Sequence, residues 1–339
     1  MIRAVLTALL LVLPVAAQAQ APSAGIGLGL FASDPQWDYG PLVDEIADLG
    51  ATDVLLVVPW YQHDIRSTVI QPRVGYSPTL PTVLRTLVQV QEQGMRATLM
   101  PIVLIEHTEN PKQWRGVIDA QHRGGPAVER WFRAYSDFLL AHAVLAQRAG
   151  AARMVVGSEL LSMEGERELW LELIGKVRSV FGGSLLYSAN WDHFRKVTFW
   201  DALDEIGVNG YFRLAEDGAR PGFDDIVAAW EEPLADLADL SAEVGLPLVI
   251  TEIGYASKVT AAAKAWCVCP NESLDQELQA TLIEAFLEVV DRGSRGPEEP
   301  MPFDGFFLWN WFGFGGADDG GFTPRGKPAE DVLRRWFAR

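Results

Sequence analysis

The sequence predicts a single (β/α)8 barrel, an α/β fold in which eight parallel strands alternate with helices. Two observations lead to this prediction: short apolar runs rich in β-branched residues alternate with longer amphipathic segments, and eight such runs occur. Most runs are continuously hydrophobic, as expected of parallel strands buried on both faces. They lie at residues 26–31, 53–60, 96–104, 153–159, 184–191, 205–212, 247–255 and 303–311.

The segments between these runs predict helices. Their apolar residues recur at spacings of three and four, as in "PTVLRTLVQVQEQGM", and a glycine lies near most of their ends. After the eighth run, "KPAEDVLRRWFA" predicts a closing helix. An open doubly wound sheet is the alternative architecture. It has less support, because "GIGLGLF" follows no strand and opens no helix, so it does not form a glycine-rich phosphate turn.

The N-terminal segment has the pattern of a secretory signal peptide. One arginine is followed by a short apolar run and by small residues that end in Ala17-Gln18-Ala19. The apolar run is too short for a good membrane span, and no later segment is apolar for long enough to cross a bilayer. We therefore expect a signal peptide over residues 1–19, one barrel domain over residues 20–339, and a periplasmic or secreted protein.

The charge of the chain restricts its partners. The formal charge is −17 at pH 7, and it becomes −18 when Arg3 is removed with the signal peptide, since that segment contains no acid. A polyanion requires a basic patch on its partner, so nucleic acid, an anionic membrane surface and acidic polysaccharides are disfavoured. Neutral polysaccharides and oligosaccharides remain compatible. The sequence does not indicate an oligomeric state.

The only two cysteines are Cys267 and Cys269, in "AWCVCP". Export would permit them to form a disulfide, although partners two residues apart close a very small ring. A metal site needs more ligands than this pair offers, and no histidine is near them in sequence. We expect a loop feature with no chemical role.

Candidate functional residues are those that end the predicted strands, because the active site of such a barrel lies there. They are two glutamates surrounded by indole, phenol and amide side chains. Aromatic faces stack on sugar rings, and amides and phenols form directional hydrogen bonds with hydroxyl groups, so this set predicts a carbohydrate site. In chain order the residues are Trp60, Tyr61, Gln62, Glu159, Asn190, Trp191, Asp192, Asn209, Tyr211, Glu252, Tyr255, Trp309, Asn310 and Trp311.

The two glutamates, Glu159 and Glu252, end the fourth and seventh strands, which lie across the barrel mouth from each other. Cleavage of a glycosidic bond requires one protonated carboxyl for the leaving oxygen and one ionised carboxylate facing the anomeric carbon. Burial would raise one pKa, while hydrogen bonds from a neighbour such as Tyr211 would keep the other group ionised. The alternative is that each glutamate pairs with an arginine at the barrel rim.

Several motifs resemble those of glycoside hydrolase family 113, the β-mannanases of the retaining barrel clan A. In order they are "VVGSELL", "LLYSANWDHFRKVTFWDALDEIGVNGYF", "VITEIGYAS", "FFLWNWF" and "GFTPRGKPAEDVL", and the resemblance extends from "VVPWYQ" at residue 57 to the C-terminal helix. It implies a retaining hydrolase acting on β-1,4-linked mannan or manno-oligosaccharides.

The resemblance also implies roles. Glu159 matches the acid/base and Glu252 the nucleophile, Tyr211 matches the residue that supports the nucleophile, and Trp309 matches the aromatic floor of the subsite for the reacting sugar, with Trp311 as a second candidate. Most clan members carry asparagine before the acid/base, where it binds the sugar 2-hydroxyl, but this chain has Ser158, and family 113 likewise lacks that asparagine. Asn190 or Gln62 is then expected to make that contact. The remaining predicted substrate-binding residues are Trp60, Trp191 and Tyr255.

Other functions compete with this interpretation. The substrate of a retaining enzyme could be another neutral glycan, such as β-glucan or glucomannan. A non-catalytic carbohydrate-binding protein would keep the tryptophans and lose the two acids, which are present. A metal-dependent hydrolase would need a histidine-carboxylate cluster at the strand ends. The five histidines, His63, His107, His122, His142 and His193, are scattered in sequence, with His63 and His107 placed to line the cleft. We expect no metal and no cofactor.

The loops at residues 105–128 and 256–277 decide cleft length. Their shape does not follow from the sequence, and neither does the choice between endo and exo attack.

Overall fold

A computed structural model describes residues 23–118, 125–295 and 303–339 of the chain. Its strands form a closed barrel in the order β1 to β8, and all neighbouring strands are parallel. The predicted (β/α)8 barrel is confirmed. The predicted signal peptide, residues 1–19, lies outside the described residues. The strands are β1 (Ser23–Gly29), β2 (Asp53–Gln62), β3 (Arg96–Ile105), β4 (Arg153–Ser158), β5 (Ser184–Asn190), β6 (Glu205–Asn209), β7 (Leu248–Ile253) and β8 (Phe303–Leu308).

Helices follow every strand except β5, which is followed by short single turns, and two helices lie between β6 and β7. Helix α3 shows how sequence sets the helix bounds: Pro126 opens its first turn, and Gly150 ends it in the left-handed conformation at φ 71°. The helices are α1 (Gly40–Leu49), α2 (Leu80–Glu92), α3 (Pro126–Ala149), α4 (Arg167–Arg178), α5 (Phe223–Ala229), α6 (Glu231–Val244), α7 (Gln276–Arg295) and α8 (Pro328–Phe337). No helix in the described ranges is both long and apolar enough to cross a membrane.

The strands are buried on both faces, as the continuous hydrophobic runs predict. Along β2, Leu55 and Val57 belong to the cluster that fills the barrel interior, whereas Val54, Leu56 and Val58 pack in the larger layer between strands and helices. Side chains of a strand point alternately to its two faces, so this parity fixes which residues of β2 can reach the barrel mouth. The interior cluster consists of Leu55, Val57, Met100, Ile102, Val155, Leu186, Val249 and Phe307.

The N-terminal end of the barrel is closed by a buried polar network centred on Arg153, the first residue of β4. Its guanidinium donates hydrogen bonds to Glu205 at 2.8 Å, to Asp304 at 2.8 Å and to Ser23 at 2.6 Å. These partners lie at the start of β6, β8 and β1. Because the buried charges are paired, the free-energy cost of removing them from water is tolerable. The network closes the N-terminal end of the barrel, and the open end lies at the C-terminal ends of the strands.

The predicted fourth to eighth strands extend one to three residues beyond the observed ends. The sequence predicts Tyr211 inside the sixth strand, for example, but β6 ends at Asn209. The residues after these strands include aromatic side chains, which prolong the hydrophobic run in sequence. These residues lie beyond the observed strands, and several of them line the mouth of the barrel. The residues by which the predicted strands are too long therefore mark the functional end of the barrel.

Candidate active site

A cavity of about 670 Å³ opens at the C-terminal ends of the strands. It brings together seven of the fourteen strand-end residues that the sequence predicts for the site, including both glutamates. They are Glu159, Asn190, Trp191, Asp192, Tyr211, Glu252 and Trp309. The cavity therefore has the two glutamates and Asp192 on its wall together with indole, phenol and amide groups, as a carbohydrate site requires.

Glu159 directly follows β4 and is held on both sides. Its backbone lies in the left-handed region at φ 54°, which is uncommon for a residue other than glycine and is a form of strain that concentrates at functional sites. Asn209 Nδ2 donates a hydrogen bond to Oε1 at 2.8 Å. Arg115 Nη2 lies 2.7 Å from Oε2. One cationic and one neutral donor thus fix the two oxygens of Glu159.

Asn209 is oriented by buried hydroxyl groups on the neighbouring strands. Ser188 Oγ donates to Asn209 Oδ1 at 2.7 Å, and Thr251 Oγ1 donates to the same oxygen at 3.0 Å. With its oxygen occupied, the amide presents its nitrogen to Glu159. Asn209 thus positions the carboxylate from β6, a role that the sequence did not reveal.

Glu252 lies in β7 and is 6% exposed. Tyr211 donates its hydroxyl proton to Glu252 Oε2 at 2.8 Å. Burial, followed by the negative charge of Glu159, raises the pKa of Glu252 from 4.5 to about 7, against the opposing effects of Arg115 and the Tyr211 hydrogen bond. Burial also raises the pKa of Tyr211, and the charge of Glu252 adds to this effect, so Tyr211 remains a hydrogen-bond donor.

Trp309 is positioned by close packing of two strand ends. Its backbone N–H donates to the Ile253 carbonyl at 2.8 Å, and the Trp309–Asn310 peptide bond is cis. A Cβ atom on Gly254 would lie 2.0 Å from the Trp309 carbonyl oxygen. The glycine of "TEIGYAS" is therefore required for the close approach of β7 to the segment after β8.

Comparison with known families identifies the chain. The model of Glycoside Hydrolase Family 113 matches residues 40–314, most of the sequence. The chain belongs to glycoside hydrolase family 113. Comparison with curated proteins gives no match.

Solved structures agree with the fold of this family 113 hydrolase. The GH113 β-mannanase AaManA from Alicyclobacillus acidocaldarius, solved with ManMIm, has a TM-score of 0.81 at 24% identity, over 94% of this chain and 98% of that one. A complex of a GH113 β-1,4-mannanase has a TM-score of 0.80 at 20% identity, over 94% and 99%. The endo-β-1,4-mannanase from Thermotoga petrophila is more distant, with a TM-score of 0.57 at 10% identity, over 94% and 76%.

Two of the predicted substrate-binding residues lie on the helix-facing side of β2. The Trp60 ring contacts Phe138 of α3, with ring centroids 5.2 Å apart. Gln62 is 1% exposed, accepts a hydrogen bond from Trp131 Nε1 at 2.8 Å and donates to the Asp64 carbonyl at 2.7 Å. The side chains of Trp60 and Gln62 point to the same face of β2 as Val58, whereas Val57 points into the cavity. The side chain of Gln62 already forms these hydrogen bonds within the protein. Asn190 is therefore the remaining candidate for the contact with the sugar 2-hydroxyl.

Tyr255 and Trp311 are also packed in the interior of this family 113 hydrolase, each 1% exposed. The Trp311 indole donates to Glu45 of α1 at 2.8 Å, and the Tyr255 carbonyl accepts from Gln279 of α7 at 2.7 Å. Both residues hold helices against the barrel. The structure does not place them at the cavity, and we do not include them among the sugar contacts.

The cavity residues that sequence analysis missed include Trp114, Arg115 and Trp266. All three lie in the two loops whose shape the sequence left open. Trp266 is 49% exposed, and its ring stacks on Trp191 with centroids 5.5 Å apart and an interplanar angle of 17°.

Cys267 and Cys269 form a disulfide, the pairing that export would permit. It lies directly after Trp266, within the loop that follows β7. The disulfide therefore restrains the backbone next to a cavity tryptophan.

Two of the histidines that are scattered in sequence are neighbours in the fold. His63 and His107 lie side by side, with ring centroids 4.5 Å apart. His142 is buried in α3, where its Nδ1 is 2.8 Å from the Phe138 carbonyl, while His122 lies outside the described residues. The sequence did not show that His63 and His107 are neighbours, because their proximity depends on the register between β2 and β3.

The two glutamates are expected to affect stability in opposite directions. Because the folded protein raises the pKa of Glu252 from 4.5 to about 7, ionisation of this group costs about 3 kcal/mol of folding free energy above pH 7 and nothing below pH 4.5. Glu252→Gln should therefore stabilise the protein by up to that amount at pH 8, and the gain should vanish near pH 4.5.

Glu159→Gln is the matched variant. It leaves the Arg115 guanidinium without its carboxylate partner, so we expect a loss of about 2 kcal/mol at pH 8. Chemical denaturation of both variants at pH 8 and pH 4.5 measures the difference. Destabilisation of the protein by Glu252→Gln at pH 8 would contradict the raised pKa.

Proposed function

We propose that this family 113 hydrolase cleaves β-1,4-linked mannan or manno-oligosaccharides with retention of anomeric configuration. The observation that supports this most strongly is the pair of electrostatically coupled glutamates, Glu159 and Glu252, in one cavity with Trp191 and Trp309. The family match adds to it, and two family 113 structures of similar fold are of β-mannanases.

In the proposed reaction Glu252 is the nucleophile and Glu159 the acid/base. The Glu252 carboxylate attacks the anomeric carbon while Glu159 gives its proton to the glycosidic oxygen, so the C–O bond breaks and the leaving sugar departs with a hydroxyl group. Water then attacks the glycosyl-enzyme and transfers a proton to Glu159, which releases the sugar and restores both groups. Two displacements retain the configuration.

Arg115 is proposed to have a part in this scheme. Its Nη2 lies 2.7 Å from Glu159 Oε2, and its positive charge opposes the effects that raise the pKa of Glu252. Attack requires an ionised Glu252 and a proton from Glu159 for the glycosidic oxygen. Glu159 is therefore proposed to exchange its contact with Arg115 for one with the glycosidic oxygen when a sugar binds.

Trp266 is proposed to extend the sugar site beyond the reacting unit. One face of its ring stacks on Trp191, and the side chain is half exposed within the cavity wall, so its other face is available to a sugar ring. Trp309 lies with the two acids and is proposed as the floor of the subsite for the reacting sugar.

Trp266→Ala is expected to raise KM for long manno-oligosaccharides about fivefold, because one stacked ring contributes about 1 kcal/mol. kcat should change little, since the proposed role of Trp266 is to bind an outer sugar. Trp37→Ala is the matched control: Trp37 is also 49% exposed and lies after β1, away from the cavity wall. Steady-state kinetics on manno-oligosaccharides of increasing length measure the effect. An equal loss on the shortest substrate would remove Trp266 from an outer subsite.

A substrate panel tests the proposed function. Purified protein is incubated with β-mannan, glucomannan, xylan and cellulose oligosaccharides, and the products are separated by chain length. We expect the highest kcat/KM on β-mannan or manno-oligosaccharides. A preference for cello-oligosaccharides would contradict the mannan assignment and leave the retaining mechanism standing, whereas binding to all of them without turnover would favour a carbohydrate-binding protein.

The signal peptide remains a proposal of the sequence, and with it a periplasmic or secreted location. N-terminal sequencing of protein from a bacterial periplasmic extract is expected to begin at Gln20.

A further inference from the structure

The rims of β2 and β3 carry a cluster that the proposed reaction does not use. His63 directly follows β2, and Glu106 and His107 directly follow β3. The two strand ends are joined by backbone hydrogen bonds, from Glu106 N–H to the Gln62 carbonyl at 3.0 Å and from His107 N–H to the His63 carbonyl at 2.9 Å. The three side chains therefore leave a rigid edge of the barrel next to one another.

Each of these residues offers one ligand atom, and the three atoms all lie within 4.8 Å of one another. His63 Nδ1 is 3.8 Å from Glu106 Oε2. Zinc binds histidine nitrogen and carboxylate oxygen at about 2.0–2.2 Å, so two such ligands of a tetrahedral ion are roughly 3.4 Å apart. His63 is 65% exposed at its side chain, so small rotations can close the remaining gap. Among the described residues, this is the one such cluster of histidine, cysteine and acidic groups.

We propose that His63, Glu106 and His107 bind one divalent transition-metal ion, with zinc as the best match. Two imidazoles and one carboxylate suit zinc and similar ions of intermediate softness, whereas calcium and magnesium prefer oxygen ligands alone. The remaining coordination position would be filled by water. The proposal does not depend on the proposed glycosidase reaction, and the site is separate from the two acids.

Two arginines, Arg73 and Arg66, carry positive charge near the proposed ion. Arg73 Nε lies 3.5 Å from Glu106 Oε1, and the guanidinium sits 4.0 Å from the centre of the Tyr76 ring. Arg73 is on the side of the other carboxylate oxygen, so Oε2 still faces His63. Arg66 lines the adjoining small cavity with His107, and the acidic groups of Asp64 and Glu109 in the same cavity partly offset the positive charge of the two arginines.

A bound ion would restrain the loop between β3 and α3. Glu106 and His107 begin this loop, and Trp114 and Arg115 further along it line the main cavity. A metal that ties the start of the loop to the end of β2 would favour one loop position, and the effect would appear as thermal stability and not as a chemical step. This gives the site a structural role at the barrel mouth.

The test is isothermal titration of tag-free, chelator-treated protein with zinc chloride, together with thermal unfolding at saturating zinc. We expect one site of micromolar affinity and a raised Tm. Removal of a residue that only hydrogen-bonds to a metal ligand weakens metal binding about 10- to 100-fold. His63→Ala and His107→Ala, which remove proposed ligands, should each weaken zinc binding at least as much. His193→Ala is the control with unchanged affinity, because His193 pairs with Glu164 elsewhere.

Arg73→Gln provides a second diagnostic. Removing the nearby positive charge should tighten zinc binding several-fold if Glu106 is a ligand, while Arg66→Gln should change it less. Failure to bind zinc at millimolar concentration would overturn the proposal. Binding that is unaffected by both His63→Ala and His107→Ala would overturn it equally, because the ion would then be held elsewhere.

Discussion

Glu252→Gln is expected to lower kcat on β-mannan by about 10⁴-fold or more, because the amide cannot attack the anomeric carbon. The substitution nearly preserves the volume of the side chain, and the Tyr211 hydroxyl that donates to Glu252 can also donate to the amide oxygen. The variant should therefore stay folded and, at pH 8, become more stable. Reducing-sugar release under saturating substrate measures the loss.

Mass spectrometry tests directly whether Glu252 is the nucleophile. A 2-deoxy-2-fluoro mannoside with a good leaving group should leave a covalent adduct on the peptide that contains Glu252, since the fluorine slows the second displacement. Glu129→Gln, on the exposed surface of α3, is the control that keeps full activity and labelling. An adduct on another peptide, or near-full activity of Glu252→Gln, would remove Glu252 from the role of nucleophile.

Glu159→Ala is expected to lower kcat/KM on β-mannan by about 10²–10⁴-fold, the contribution of general acid catalysis. The loss should depend on the leaving group. An aryl mannoside whose phenol departs without protonation should form the glycosyl-enzyme at nearly the normal rate, so the slow step becomes attack by water. Stopped-flow release of the phenol should then show a burst.

Azide distinguishes this role from a structural one. It needs no general base, so it should restore turnover of Glu159→Ala on the aryl mannoside and give a β-mannosyl azide. Asn209→Ala is a useful comparison: it removes one donor to Glu159 but keeps the acid, and azide should not rescue it. Equal loss on all leaving groups, with no rescue, would show that Glu159 is not the acid/base.

The fold was predictable because parallel strands buried on both faces leave a strong sequence signal. The two glutamates were predictable for a related reason: a charge at the end of an apolar run is costly unless the run ends at an open mouth. Trp60 and Gln62 were harder, since the strand-end rule does not say which side of β2 faces the cavity. Their placement depends on the parity set by Leu55 and Val57 in the barrel interior.

The cavity residues in the loops could not be predicted from the sequence, for a different reason. Arg115 contacts Glu159 and Trp266 stacks on Trp191, and each contact joins segments that are far apart in sequence. No local periodicity encodes such contacts. His63 and His107 are a similar case, because only the pairing of β2 with β3 brings the two imidazoles together.

The anomeric configuration of the first product tests the central claim most directly. A manno-oligosaccharide is mixed with the enzyme in D₂O, and proton NMR spectra follow the newly formed reducing ends before mutarotation equilibrates them. With Glu252 as nucleophile and Glu159 as acid/base, the β-anomer should appear first and the α-anomer should follow slowly. First appearance of the α-anomer would mean a single displacement and would contradict the roles proposed for both glutamates.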